Sequence, residues 1–364
     1  MKNKICAILV MAVWAALALG AWFLPPKAFS DAERRPLAQL PELSGDAVLN
    51  GGFMSDFEDY SLDQFPLRDA FRGLKSLFHY YGLGQKDNNG IYLAGDVAAK
   101  QEYPLQEDSL SHALERFAHL YEKYLQDSGS KITVTVVPDK GYYLAEENSQ
   151  LAMDYEALFA GIREGMPWAE FVDITGALSA EDYYRTDTHW RQENLLEAAD
   201  AICKVLGVTS PRVEDYTLTT LERPFYGVYY GQAALPMAAD TLNILESPLL
   251  SQCLVYDYET GKTGSVYDMT KLDSKDLYEV FLSGPKSLLT IENPDAPTDR
   301  ELVVFRDSFG SSMVPLLVQD YARVTLVDVR YIQIDVLDRF LDFHGQDVLF
   351  LYSTLVLNNS STIK

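Results

Sequence analysis

Three short apolar runs in the last quarter of the chain, Leu302-Val303-Val304-Phe305, Val324-Thr325-Leu326-Val327 and Val348-Leu349-Phe350-Leu351, limit most strongly what it can fold into. None alternates apolar with polar residues, so each reads as a strand covered on both faces. The spacers between them have helical length, and buried strands joined by such crossovers form a parallel sheet flanked by helices. Further strands are expected over Lys131 to Pro138 and around Phe171-Val172-Asp173-Ile174. Leu114, Phe117, Leu120, Tyr121 and Leu125 recur at helical spacing within 111–126, with Gly129 as a stop. A second helix buries Leu195, Ala199, Ile202 and Leu206 and ends at Gly207, with Asp187 or Thr188 as its cap. The fold class is α/β.

Two segments interrupt this rhythm. Residues 25–110 form an irregular, aromatic-rich extension packing on the core, with short helices near Phe53 to Tyr60 and Leu67 to Tyr81. Residues 208–300, rich in Tyr, Gly and β-branched residues, read as a β-rich insertion into an α/β domain spanning 111–364. Ahead of everything, Lys2 and Lys4 precede an uncharged run from Ile5 to Leu24, whose length of about 20 residues matches a bilayer core. The lysines favour a cytoplasmic N-terminus and an exported body. Residues 1–24 are read as an uncleaved transmembrane anchor; Ala16 and Ala18 leave a signal-peptidase site as the alternative, in which case the body is secreted.

The formal net charge of −23 argues against nucleic acid as a partner, because a phosphate backbone requires a basic footprint. Cys203 and Cys253 are the two cysteines outside the anchor, and either a bridge or two small buried residues accounts for them. His79, His112, His119 and His344 are scattered without metal-ligand spacing, and no dinucleotide or Walker fingerprint occurs, so neither metal nor cofactor is expected.

The chemistry-bearing text lies at Asp187-Thr188-His189-Trp190 and Arg306-Asp307-Ser308-Phe309-Gly310. On an extended segment, residues two apart point to the same side, so Asp187 can reach one ring nitrogen of His189 and leave the other to take a proton from a hydroxyl. Ser308 follows directly after a strand and precedes a stretch that can be helical over 311–321, with Pro315 in its first turn. In an open α/β sheet that is where ligands bind and where a helix N-terminus steadies a developing oxyanion. Taken singly, each motif reads more readily as a capped turn or a surface pair.

Together with their neighbours they resemble the DHHW family, and through it the SGNH-like O-acetylation proteins related to the alginate acetylation machinery. The resemblance rests on Ser30 to Leu37, Phe57-Glu58-Asp59-Tyr60, Asp63 to Arg68, Val137-Pro138-Asp139-Lys140, Thr186 to Trp190, Arg306 to Phe309 and Val327 to Tyr331. It implies an SGNH-like, flavodoxin-like domain with circularly permuted motif order, in which Ser308, His189 and Asp187 form a catalytic triad acting by an acyl-enzyme. It implies O-acetyl transfer onto a cell-surface or secreted polysaccharide, with a multi-spanning membrane acyltransferase as donor; esterase and non-catalytic glycan-binding roles are its alternatives. Thr188 stands where the family motif has its first histidine. Arg306 replaces a glycine of the nucleophile block, where it alters the oxyanion hole or binds an anionic substrate group. Arg330 is a further substrate or oxyanion contact or else a buried structural ion pair, and Trp190 is a further contact, with Lys140 and Tyr229 behind them.

Overall fold

The computed structural model describes residues 2–364 and divides into two compact units. One takes the chain up to Ile91 together with Val228–Met237; the other takes Tyr92–Gly227 and Ala238–Lys364.

The larger unit is built on an eight-stranded sheet. In chain order its strands are β1 (Lys131–Val137), β2 (Glu170–Val172), β3 (Leu254–Asp257), β4 (Lys262–Gly264), β5 (Leu288–Glu292), β6 (Arg300–Arg306), β7 (Tyr321–Val327) and β8 (Asp347–Ser353). In space they lie in the order β4-β3-β5-β7-β6-β8-β1-β2. The run from β7 to β2 is parallel, as the unalternating patterns require, and β5, β3 and β4 extend its edge antiparallel. Counting from β6, the parallel strands read 2-1-3-4-5, the flavodoxin-like order, so the chain is a circular permutation of that topology.

Both sheet faces are covered. Helices α1 (Glu107–Leu120) and α2 (Tyr155–Gly165) bury Leu110, Phe117, Leu158 and Ile162 against Val134, Val303, Phe305 and Phe350. On the opposite face α3 (Leu196–Leu206) packs Ala199, Ile202 and Leu206 with Leu302, Val304, Leu349 and Leu351. Neighbours along β6 and β8 thus point to opposite helical layers, and burying each such side chain contributes roughly 1.5–3 kcal/mol. Gly207 ends α3 at φ 69°, as its position after the last apolar residue suggests.

The stretch 208–300 divides in two. A hairpin of Thr217–Phe225 and Asp240–Glu246 stands apart with its own core of Leu221, Phe225, Leu242, Ile244 and Phe281, whereas β3, β4 and β5 belong to the main sheet. The helix expected over 311–321 is shorter: Gly310–Met313 is α-helical, Val314–Leu317 tightens to a 3₁₀ turn at Pro315, and β7 starts at Tyr321. Cys203 and Cys253 are both buried free thiols.

The smaller unit holds the helix Lys2–Phe23, whose segment Lys4–Phe23 is long and apolar enough to cross a membrane. It also holds the helices Gly52–Asp63 and Arg68–Leu77, the latter continued by a π turn over Phe78–Gly82.

Candidate active site

Asp187 and His189 lie in the turn of a tight loop closed by the bridge between Tyr183 and Trp190. Asp240, fully buried, fixes that turn: its carboxylate accepts from the backbone N–H of Arg185 (2.9 Å) and of Thr186 (2.8 Å) and from Thr186 Oγ1 (2.6 Å). Thr186 Oγ1 in turn accepts from Gly227 N–H at 2.9 Å. Gly227 has no room for a side chain, since a Cβ there would sit 2.2 Å from Asp187 Cβ and 2.4 Å from Oδ2. The cap expected from Asp187 or Thr188 is not made, because α3 begins after Leu195 without a side-chain cap and Asp187 turns to the histidine instead.

Asp187 Oδ1 meets His189 Nδ1 at 2.6 Å and also accepts from His189 N–H at 3.1 Å. The other ring nitrogen, Nε2, lies 2.8 Å from Ser308 Oγ. A carboxylate on Nδ1 selects the tautomer that leaves Nε2 with its lone pair toward the hydroxyl, the arrangement that draws a proton from serine. Asp187 is fully buried, His189 nearly so, and Ser308 half-buried.

Ser308 stands at the C-terminal end of β6, beside the neighbouring β8, where the strand order reverses. Asp307 pins this switch point: Oδ2 accepts from Ser353 N–H (2.8 Å) and Ser353 Oγ (2.6 Å) at the end of β8, and Oδ1 accepts from Phe309 N–H at 3.0 Å. The Phe309 amide is therefore already engaged, which leaves the Ser308 N–H as the backbone donor this turn could offer to a developing oxyanion.

Further contacts to His189 and the Ser308 turn come from residues whose spacing gave no signal. Tyr278 stacks on the imidazole of His189, ring centroids 3.8 Å apart and planes 8° from parallel. Its hydroxyl lies 3.3 Å from Ser308 O and 2.8 Å from Ser312 Oγ, which accepts from Trp190 Nε1 at 2.9 Å. Gln192 donates to Ser312 O at 3.0 Å. Burial raises the Tyr278 phenol well above its ordinary range, so it remains a neutral donor.

Trp190 and Arg306, expected to meet a ligand, are both buried, 0% and 1% exposed. The Trp190 indole N–H is directed to Phe309 O and Ser312 Oγ. Arg306 points beneath the strand end, where Nη1 donates to Asp307 O and Ser311 Oγ, both at 3.2 Å, and burial lowers its pKa against the pull of Asp328. Arg330 has Nε and Nη2 on the two oxygens of Asp328 at 2.8 and 2.6 Å. Burial works against its charge, but that ion pair outweighs burial and raises its pKa. Lys140 is buried, donates to Tyr184 O at 2.9 Å, and is pushed down to about 7 by burial against the opposing attraction of Asp187, Asp240 and Asp139. Tyr229 belongs to the smaller unit, on the helix Val228–Ala233. Among the described residues no cluster of side chains suited to a metal occurs.

Residues 177–327 match the family model described as DHHW protein. The fold is similar to the crystal structure of a DHHW family protein from Eubacterium siraeum DSM 15702, at 22% identity and a TM-score of 0.62 over 76% of this chain and 95% of that one. It is also similar to Bacillus cereus PatB1, solved with a sulfonyl adduct (16% identity, TM-score 0.60, 73% of this chain and 95% of that one) and in a second structure (16%, 0.56, 73% and 96%). No curated protein matches. The matched stretch holds Asp187, His189 and Ser308, so the site lies within the part of the chain that is similar to the DHHW family model, on a fold similar to that of these solved proteins.

Proposed function

We propose that the chain is a membrane-anchored, extracytoplasmic O-acetyltransferase that moves an acetyl group onto a hydroxyl of a cell-surface or secreted polysaccharide. The observation that carries this reading is the continuous line from Asp187 through both nitrogens of His189 to Ser308 Oγ, spaced 2.6 and 2.8 Å. Ser308 Oγ attacks the acetyl carbonyl as His189 Nε2 takes its proton; the tetrahedral intermediate collapses when that proton passes to the departing donor oxygen. His189 then removes a proton from the acceptor hydroxyl, whose oxygen attacks the acyl-serine and releases Ser308 with the proton returned to Oγ. Asp187 holds the imidazolium that forms in each half-reaction. The N-terminal helix supports the anchor, and a multi-spanning membrane acyltransferase is the donor that such a topology calls for.

The purified chain, given an activated acetyl ester with and without an oligosaccharide, separates the alternatives. Acetylated sugar from the wild type and none from Ser308→Ala is the expected result. Acetate alone identifies a hydrolase using the same residues. Because PatB1 has been solved with a sulfonyl adduct, a sulfonyl fluoride supplies a readout independent of the acceptor: one adduct on wild type, none on Ser308→Ala. A well-folded wild type with neither turnover nor adduct would refute the assignment in favour of a non-catalytic glycan-binding role.

A further inference from the structure

The helix Arg68–Leu77 and its continuation over Phe78–Gly82 have inverted amphipathicity. Leu67, Phe71, Leu74, Phe78 and Tyr81 recur every three or four residues along one face, and all are exposed, between 44% and 70%. The opposite face carries polar residues and is the buried one. There Arg72 donates to Gly231 O at 3.0 Å and pairs with Glu33, while Ser76, 1% exposed, accepts from Asn88 Nδ2 at 2.8 Å. A helix in water buries its apolar stripe and exposes its polar one; this helix does the reverse, which marks the stripe as a contact surface.

What covers the stripe is indicated by where the helix starts. Pro66, one residue before Leu67, lies so close to the end of the N-terminal apolar helix that a Cβ on Gly20 would be 3.0 Å from its Cγ. The segment leaving that helix is tied to the same place, because Lys27 N–H donates to Gln64 Oε1 (2.8 Å) and Gln64 Nε2 donates back to Lys27 O (2.9 Å). If the apolar helix spans the bilayer, residues 64–67 stand at the point where it emerges. The helix that follows then begins at the lipid surface with its apolar face uncovered.

We infer that residues 67–82 form an interfacial helix that lies in the outer surface of the membrane, so that the smaller unit is held to lipid along this stripe as well as through the anchor. The inference rests on the anchor reading above. The bound surface is recognised by apolar burial rather than by charge, since a protein of net charge −23 is not drawn to anionic headgroups.

The test uses the full chain in phosphatidylcholine vesicles, with Cys6→Ser and single cysteines carrying a nitroxide; Cys203 and Cys253 are buried and do not react. Labels at Leu74→Cys and Phe78→Cys report the stripe, Ala12→Cys the anchor, and Asp273→Cys a side chain 90% exposed in the other unit. Collision with oxygen, which concentrates in lipid, is compared with collision with a water-soluble nickel chelate. The expected result is an oxygen-to-nickel ratio severalfold higher at 74, 78 and 12 than at 273. A water-like ratio at 74 and 78 with a lipid-like one at 12 overturns the inference while sparing the anchor. Low collision with both reagents at 74 and 78 also overturns it, showing cover by protein, either a partner or a second copy. A water-like ratio at 12 removes the anchor reading and the interfacial helix with it.

Discussion

Gly227→Ala perturbs the proposed site without replacing any residue assigned to the chemistry. The added Cβ would fall 2.2 Å from Asp187 Cβ and 2.4 Å from its Cα. Ordinary carbon contacts begin near 3.4 Å, so the two segments must separate by about 1 Å. That movement acts on the 2.6 Å contact between Asp187 Oδ1 and His189 Nδ1 and carries it past about 3.5 Å, where it is no longer a hydrogen bond. The bond from Gly227 N–H to Thr186 Oγ1, 2.9 Å, is strained by the same shift. A 1 Å misplacement costs roughly 10²-fold in rate, and complete loss of the orienting carboxylate roughly 10⁴-fold, so kcat should fall within that interval. Overpacking at one methyl should cost about 1–3 kcal/mol of stability, leaving a folded protein. Activated-ester hydrolysis and sulfonyl fluoride labelling measure the first effect, and urea unfolding the second. A low-field proton NMR resonance of the His189 Nδ1–H should be present in the wild type and absent in the variant. A variant with kcat within twofold of wild type and that resonance in place would refute the steric argument.

Tyr278→Phe keeps the ring on His189 and removes the hydroxyl that reaches Ser308 O and Ser312; it should cost about 1 kcal/mol in urea unfolding and leave kcat close to wild type. Tyr278→Leu removes the stacked plane and should lower kcat severalfold with KM unchanged, because the imidazole loses its fixed orientation; equal kcat in the two variants contradicts a positioning role. For Lys140 the folded-state value of about 7 lies below the ordinary 10.5, so the unfolded chain binds the extra proton between those pH values and stability rises with pH across that window. Lys140→Met lacks this contribution. The stability of wild type relative to the variant should therefore increase between pH 7 and pH 9.5 in urea unfolding, and a constant difference would show that the burial of this amine is offset.

The strands β6, β7 and β8 were legible because burial on both faces forces consecutive apolar residues, a pattern that does not depend on partners distant in sequence. The pairing of Asp187 with His189 was legible for a similar reason, since two residues of extended chain fix its geometry. Tyr278, Gly227 and Asp240 were not: each acts through space on the loop 183–190 or on its histidine, and nothing in their own neighbourhoods marks them. The strand content of 254–292 was recognised but not its membership in the main sheet, because a short edge strand carries the same alternation whether it pairs with a hairpin or extends a larger sheet. Arg306 misled through its position. Two residues before Ser308 it reads as a pocket residue, yet strand alternation turns its side chain under the sheet end, to Ser311.

The spatial order of the strands also governs when this domain can form. Strand β8, the last to be synthesised, is not at an edge; it lies between β6 and β1 and is hydrogen-bonded to both along most of its length. Until it arrives, β1 with β2 and β6 with β7 are two half-sheets presenting open edges to each other, and Asp307 lacks the Ser353 groups that fix the Ser308 turn. If the body is threaded across a membrane in chain order behind an anchored N-terminus, an incomplete sheet would stand outside while its keystone is still in transit, and such open edges invite wrong pairings. Removing the last eighteen residues would split the sheet through its middle rather than trim it.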